Sequence, residues 1–360
     1  MSIKTLIILI ILIGLCIGGF FVWKNFFVPE KEKTEEETEE EVYIYKGIWL
    51  PGLSYRTHFS ENWLASNIEK MKDLGMNTVY LAAMFIQEDG NPLAGINTSQ
   101  IVKDIQVAHD NGMKIMLNTH FHPKPKLEEK DLEKLDSLIV EVARIAQEYD
   151  VGLFAPLSEP ETILLVDSRK WGQEILPKVK QVYHGEVFWD GAFGPPDKPV
   201  TEEYFRQIAE QPPGDFVGYD YIGFPIYFIS AKESLEPEEQ VRFAEQLTLE
   251  SYSEYVDRLI KYMLAFAERD SCKGVIIKEF GVADRFYMKG SELADRLVEG
   301  TLTEEKYTRA HEIVFEKGKD KVAGFMTVLD VLETDFYGTH LRIAPKTQEL
   351  IRKWFTEILD

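Results

Sequence analysis

Two glutamates stand at the ends of otherwise apolar runs. Glu159 closes Val151-Gly152-Leu153-Phe154-Ala155-Pro156-Leu157-Ser158-Glu159-Pro160, and Glu279 follows Gly274-Val275-Ile276-Ile277-Lys278. Runs of this kind suit parallel strands buried on both faces. Pro160 cannot donate to a ladder and disfavours helix at the residue before it, so the first run stops at Glu159. If both strands end on one pocket, the two carboxylates have the types needed to cleave a glycosidic bond. One protonates the leaving oxygen, and the other attacks the anomeric carbon or activates water. The acid of such a pair needs a raised pKa, from burial or from the neighbouring negative charge. Either glutamate alone would also suit an ion-paired rim residue. Their joint position points to catalysis.

Other residue types with chemical use fall near the same strand ends. Trp49, Trp189 and Tyr227 could stack on sugar rings, and Tyr55, Arg56, Asp190 and Asp330 could hydrogen-bond hydroxyls. His120-Phe121-His122 places two imidazoles on one side of a strand, a spacing that can ligate metal, with Asp330 as a further ligand. That would be a metal-dependent hydrolase similar to the amidohydrolases. Such a design also needs histidines at the ends of the fifth and sixth strands. His58, His109, His184, His311 and His340 fall elsewhere. His120 and His122 therefore read as subsite or rim residues, and no metal and no organic cofactor is expected.

The elements that position these groups alternate in a regular way. Strands are expected over Val42–Leu50, Asn77–Met84, Lys114–Thr119, the run from Val151, Glu186–Trp189, Tyr219–Tyr227, Gly274–Phe280 and Val322–Leu329. Helical periodicity intervenes at 61–74, 99–111, 127–149, a segment spanning Trp171 and Val182, 201–211, 252–269 and 304–317, with a last helix over 345–358. Ser60 is placed as an N-cap of the first helix, and Gly75 and Gly112 fall where helices should stop. No two strands are joined by a hairpin turn signal, so right-handed parallel crossovers and a closed (β/α)8 barrel follow. A doubly wound sheet is the alternative, but no glycine-rich phosphate turn follows the first strand.

Composition narrows the field further. The formal charge of −21 excludes a nucleic-acid partner, which needs a basic face. Of the two cysteines, Cys16 lies in the apolar run from about Thr5 to Trp23, leaving Cys272 without an internal disulfide partner. That run, at a rise of ~1.5 Å per residue, is just long enough to cross a bilayer. Residues 1–27 are expected to be a signal anchor and 28–42 an extended acidic linker, followed by the barrel over 43–360. Lys4 and the amino terminus would stay inside and the barrel outside the cytoplasm. The alternative is a cleaved signal peptide and a secreted barrel.

The motifs together resemble the clan A retaining glycoside hydrolases, and within them family 113, the β-mannanase-type enzymes. The stretches that carry the resemblance are Leu74-Gly75-Met76-Asn77-Thr78-Val79, Trp171 through Tyr183-His184-Gly185-Glu186-Val187, Asp220-Tyr221-Ile222-Gly223 before Tyr227, and Ile277-Lys278-Glu279-Phe280-Gly281. The resemblance implies a double-displacement enzyme acting on a β-linked oligo- or polysaccharide, mannan-like or another β-glycan. Glu159 would be its acid/base and Glu279 its nucleophile, with Tyr227 holding the nucleophile. Three positions depart from the pattern. Ser158 stands where the clan has an asparagine that holds the sugar 2-hydroxyl. The eighth strand, Gly324-Phe325-Met326-Thr327-Val328-Leu329-Asp330, lacks a tryptophan platform. Phe224-Pro225-Ile226-Tyr227 lacks an asparagine. These departures carry the alternative of a barrel that binds carbohydrate without cleaving it.

Overall fold

Successive side chains along the strands enter two different apolar environments, as the period of two requires. Met116, Phe188, Ile276 and Met326 belong to one buried cluster, whereas their neighbours Leu117, Val187, Ile277 and Phe325 belong to another that includes the helices. A sheet that is apolar on both faces has to be covered on both. Here one face turns inward on itself and the other carries helices. The computed structural model describes residues 45–50, 63–88, 90–192, 215–230, 248–284, 304–328 and 345–359, all within one compact unit spanning 41–360.

The strands are β1 (Tyr45–Leu50), β2 (Thr78–Glu88), β3 (Asn91–Ile96), β4 (Lys114–His120), β5 (Leu153–Ala155), β6 (Glu186–Asp190), β7 (Tyr221–Ser230), β8 (Gly274–Asp284) and β9 (Gly324–Val328). Their order is β1-β9-β8-β7-β6-β5-β4-β2-β3, and a further β1–β2 pairing closes the circle. Every pairing except β2–β3 is parallel. Eight parallel strands closed in this way make a (β/α)8 barrel. The helices are α1 (Trp63–Asp73), α2 (Thr98–Asp110), α3 (Leu132–Glu148), α4 (Pro160–Ile163), α5 (Ser168–Lys180), α6 (Leu249–Arg269), α7 (Glu304–Gly318) and α8 (Pro345–Lys353). Gly75 and Gly112 take positive φ just past α1 and α2, as the sequence predicts.

The antiparallel strand β3 corrects the expectation that no hairpin interrupts the crossovers. Phe85 pairs with Ile96 and Glu88 with Asn91. Asp89-Gly90 between them is a strong hairpin dipeptide. The fourth barrel strand, β5, is also shorter than its apolar run, ending at Ala155. The expected anchor and linker (1–42), the helix at 201–211, Ser60, Tyr55, Arg56 and Asp330 lie outside the described residues. Among the described residues no helix is long and apolar enough to cross a membrane.

Closure of the barrel rests on a glycine. Gly47 pairs with Thr78 across the β1–β2 seam, and a Cβ on Gly47 would lie 2.0 Å from the Thr78 carbonyl oxygen. Beside it, Lys46 donates from Nζ to the Phe355 carbonyl at 2.9 Å, tying the seam to the C-terminal helix. Gly47→Ala should therefore lower stability by about 1–3 kcal/mol or more, the cost of forcing atoms into a filled site. Urea unfolding of the two proteins measures it, and equal midpoints would contradict this account of the seam.

Candidate active site

A lysine inside a barrel strand must find its partners within the barrel. Lys278 on β8 is such a residue. Its Nζ lies 2.5 Å from Asp190 Oδ1, 3.2 Å from Glu159 Oε1 and 3.5 Å from Glu279 Oε1. Asp190 ends β6 and accepts hydrogen bonds at its other oxygen from the Tyr80 hydroxyl and, at 2.8 Å, from Asn118 Nδ2. Asn118 also donates to the Tyr80 hydroxyl at 2.7 Å. Glu159 binds Lys124 through its second oxygen. The Lys278 and Asp190 side chains are 2% and 0% exposed, against 14% for Glu159 and 30% for Lys124, so the cluster runs from a closed floor to an open rim.

Two backbone irregularities bring these groups together. Phe224 pairs with Ile277, but the next residue of β7, Pro225, pairs with Glu279, so β8 gains one residue there. Pro225 has no N–H with which to continue the ladder. The bulge lets the consecutive residues Lys278 and Glu279 both bring their charged ends to the cluster, which a regular strand would not allow. On the opposite side, the Ser158 amide donates to the Thr119 carbonyl at 2.9 Å and the Glu159 amide to the Asp190 carbonyl at 2.7 Å. These bonds stitch the chain beyond β5 between β4 and β6. Glu159 then turns into α4 with φ 52° and ψ 54°, a left-handed conformation uncommon for a glutamate.

The charges fix the protonation states. Burial works to raise the Glu159 pKa, but Lys278 and then Lys124 outweigh it and hold the carboxyl well below the usual carboxylate range. This corrects the expectation of a raised pKa at Glu159, because two ammonium groups beside the carboxyl outweigh its burial. Burial also penalises the Lys278 ammonium, yet Asp190, Glu159 and Glu279 together hold it above the usual lysine range. Burial and Lys124 lower the His120 pKa to about 3, so its imidazole is neutral near pH 7. Its Nδ1 is buried without a hydrogen-bond partner.

Of the remaining candidates, Trp49, His120, Ser158, Asp190 and Tyr227 are buried, and Trp49, Tyr227 and Asp190 share the inward-facing set of strand positions. Trp49 and His120 meet edge-on at 6.0 Å. Trp189 does not join them. It precedes inward-facing Asp190 on one strand, so it points to the helix layer, where it packs on Phe216 and Tyr219 and donates to Glu161 Oε1 at 2.9 Å. The two histidines of the His-x-His run are also separated. β4 ends at His120, which is buried, whereas His122 is exposed. Among the described residues no cluster of three or more His, Cys, Asp or Glu could hold a metal. Val328, also inward-facing, ends β9.

Sequence reasoning missed Lys278, Lys124, Tyr80 and Asn118. Lys278 and Asn118 were detectable as polar residues within strands otherwise apolar on both faces.

No family model matches the chain, and no curated protein sequence matches it. Solved structures do. The family 113 β-mannanase of Alicyclobacillus acidocaldarius, in complex with ManMIm, superposes with a TM-score of 0.55 at 12% identity over 88% of this chain and 99% of its own. The endo-β-1,4-mannanase of Thermotoga petrophila gives 0.55 at 13% identity over 89% of this chain and 78% of its own. The endoglucanase Cel5A of Pseudomonas stutzeri gives 0.53 at 12% over 86% and 93%. The likeness is one of fold. It agrees with the resemblance drawn from the strand motifs.

Glu161 offers a test of the electrostatics. This half-buried residue accepts from Trp189 Nε1 and, at 3.3 Å, from the Ala192 amide; burial nonetheless pushes its pKa up to about 7. A raised folded-state pKa contributes stability that is present below the unfolded value and is lost as pH rises through the folded one. Stability carried by Glu161 should therefore decline between about pH 4.3, the unfolded value, and about 7. Glu161→Gln should lack that decline, so the difference between the two proteins' unfolding free energies (wild type minus variant) should fall as pH rises through this window. A difference independent of pH would show that Glu161 does not titrate in this window.

Proposed function

We propose that this chain is a retaining glycoside hydrolase of β-linked oligo- or polysaccharide, with Glu279 as nucleophile and Glu159 as acid/base. The observation that carries the reading is the meeting of these two carboxylates, from β8 and from the turn after β5, on the single ammonium of Lys278. Their nearest oxygens can be no farther apart than the sum of the two contacts, 3.2 Å and 3.5 Å. That bound admits the carboxyl spacing of about 5–5.5 Å used in retention and disfavours the wider part of the inverting range, about 6.5–9.5 Å.

In this mechanism Glu279 attacks the anomeric carbon while Glu159 protonates the leaving oxygen, and Glu159 then takes a proton from the water that releases the sugar. Trp49, His120 and Tyr227 would line the sugar site, with Ser158 in the place of the clan's asparagine. The mannanases and the endoglucanase among the neighbours make β-1,4-mannan and β-1,4-glucan the first substrates to offer. The apolar run at 5–23 would tether the barrel to a bilayer, with the acidic stretch as a stalk and the pocket outside the cytoplasm.

A second reading, a barrel that binds carbohydrate without cleaving it, is favoured by the pairing of Glu159 with two lysines. Assay of the purified full chain on mannan, glucan and matched aryl glycosides separates the two. Hydrolysis with retained anomeric configuration is expected. Glu159→Ala should lower kcat on the polysaccharide by about 10²–10⁴-fold, the usual contribution of a positioned acid/base, and Glu279→Ala should abolish detectable turnover. Undiminished hydrolysis by the Glu279 variant would sink the assignment. Saturable binding without products would favour the second reading.

A further inference from the structure

The proposed reaction asks for a proton where the pocket is built to refuse one. Departure of an alkyl oxygen requires Glu159 to arrive protonated, because an alkoxide leaves too poorly alone. Yet Glu159 faces Lys278 Nζ at 3.2 Å and Lys124 Nζ at its other oxygen. Lys278 is locked in place by Asp190 at 2.5 Å, which Tyr80 and Asn118 secure in turn. Two further titratable neighbours are engaged elsewhere. His120 on β4 is neutral near pH 7, and Glu161, which burial keeps protonated up to about pH 7, has its oxygens on Trp189 Nε1 and the Ala192 amide at the helix layer. Glu279, the third carboxylate on Lys278, is the nucleophile in this reading.

Resting on that reading, we propose that Lys278 is a positioning residue, a counter-ion shared by both catalytic carboxylates, and that it biases the pocket toward a particular class of glycoside. These are glycosides whose leaving group departs as a stabilised anion, a phenolate or a carboxylate, in preference to those linked through an alkyl oxygen. In the first step a Glu279 oxygen bonds to the anomeric carbon. The bond to the leaving oxygen breaks, and its electron pair leaves with the phenolate or carboxylate, so no proton is needed. In the second step Glu159 takes a proton from water, whose oxygen bonds to the anomeric carbon as the glycosyl ester breaks. Glu279 recovers its charge, and the Glu159 proton passes to solvent, where it balances the released anion. The arrangement suits the second step, in which Glu159 must start as a base. Esterified Glu279 is neutral, so Lys278 then serves Asp190 and Glu159 alone.

The test uses the full chain in detergent, with 4-nitrophenyl and methyl β-mannosides and β-glucosides. The wild type should strongly favour the aryl compound. Lys278→Met should narrow the aryl-to-methyl ratio of kcat/KM by about tenfold or more, which corresponds to about 1.4 kcal/mol of transition-state free energy. It should also extend methyl-glycoside activity to higher pH, because Glu159 would then keep its proton longer. Lys124→Met, at the exposed rim, should move both readouts the same way by less, and it stands in if the Lys278 variant does not fold. A carboxyl ¹³C titration of wild-type protein, with the Glu159 signal assigned by its loss in Glu159→Gln, gives an answer that needs no substrate. Glu159 should stay ionised through the range in which carboxylates ordinarily titrate, and titration between about pH 4 and 7 would overturn the counter-ion role. Cleavage of aryl and methyl glycosides at equal rates, or unchanged ratios and pH profiles in both lysine variants, would overturn the preference while leaving the hydrolase reading intact. A wild type that cleaves neither glycoside nor polysaccharide would overturn the hydrolase reading and the preference with it.

Discussion

One buried ammonium governs the open end of this barrel. Removing such a charge from water costs several kcal/mol even after the surroundings relax, and only close, well-oriented carboxylates offset that cost. Lys278 has three, supplied by β6, by the turn after β5 and by its own strand. Three carboxylates around one ammonium leave a surplus of negative charge, and Lys124 reduces it from the rim. Asp190, the nearest and most enclosed partner, is stabilised further by Tyr80 and Asn118. Loss of the ammonium would strand ionised groups in a site closed to water, a change that costs about 3–5 kcal/mol where it has been isolated. Stability and the charge state of Glu159 thus depend on the same contacts.

Ideal barrel geometry would not produce this arrangement. A regular strand offers alternate residues to the interior, so Lys278 and Glu279 could not both serve the pocket without the extra residue that β8 accommodates opposite Pro225. Glu159 likewise lies beyond the end of β5, turned by a left-handed backbone and held by hydrogen bonds to the carbonyls on either side of it. A non-glycine residue in that conformation costs about 1–3 kcal/mol, and such strain persists where the surroundings over-determine it. Here the flanking strands do so, through Thr119 and Asp190.

Much of this architecture was legible because its signals are local. Strand and helix periods, glycines past the helix ends and Pro160 after Glu159 all act within a few residues. The Asp89-Gly90 dipeptide between β2 and β3 is an equally local signal. Trp189 was misplaced for a different reason. Nearness to a strand end does not set a side chain's direction, and parity keeps adjacent Trp189 and Asp190 on opposite faces of β6. The ionisation of Glu159 was not legible, because its cause lies 119 positions away in Lys278 and 35 away in Lys124. A pKa is set by contacts that only folding assembles.

The fold does not settle what the pocket prefers, since barrels of this kind host many chemistries. The departures from the clan pattern point in one direction. Ser158 stands where the resembled pattern has an asparagine, and β9, which ends at inward-facing Val328, carries no tryptophan. Trp49 and Tyr227 still offer aromatic surface on β1 and β7. The pocket also carries fixed charge, through Lys278 and Lys124. Fixed charges in a closed site act most strongly where charge changes during the reaction. A pocket altered in this way should discriminate by the charge of what departs more than by the hydroxyl pattern of what is held.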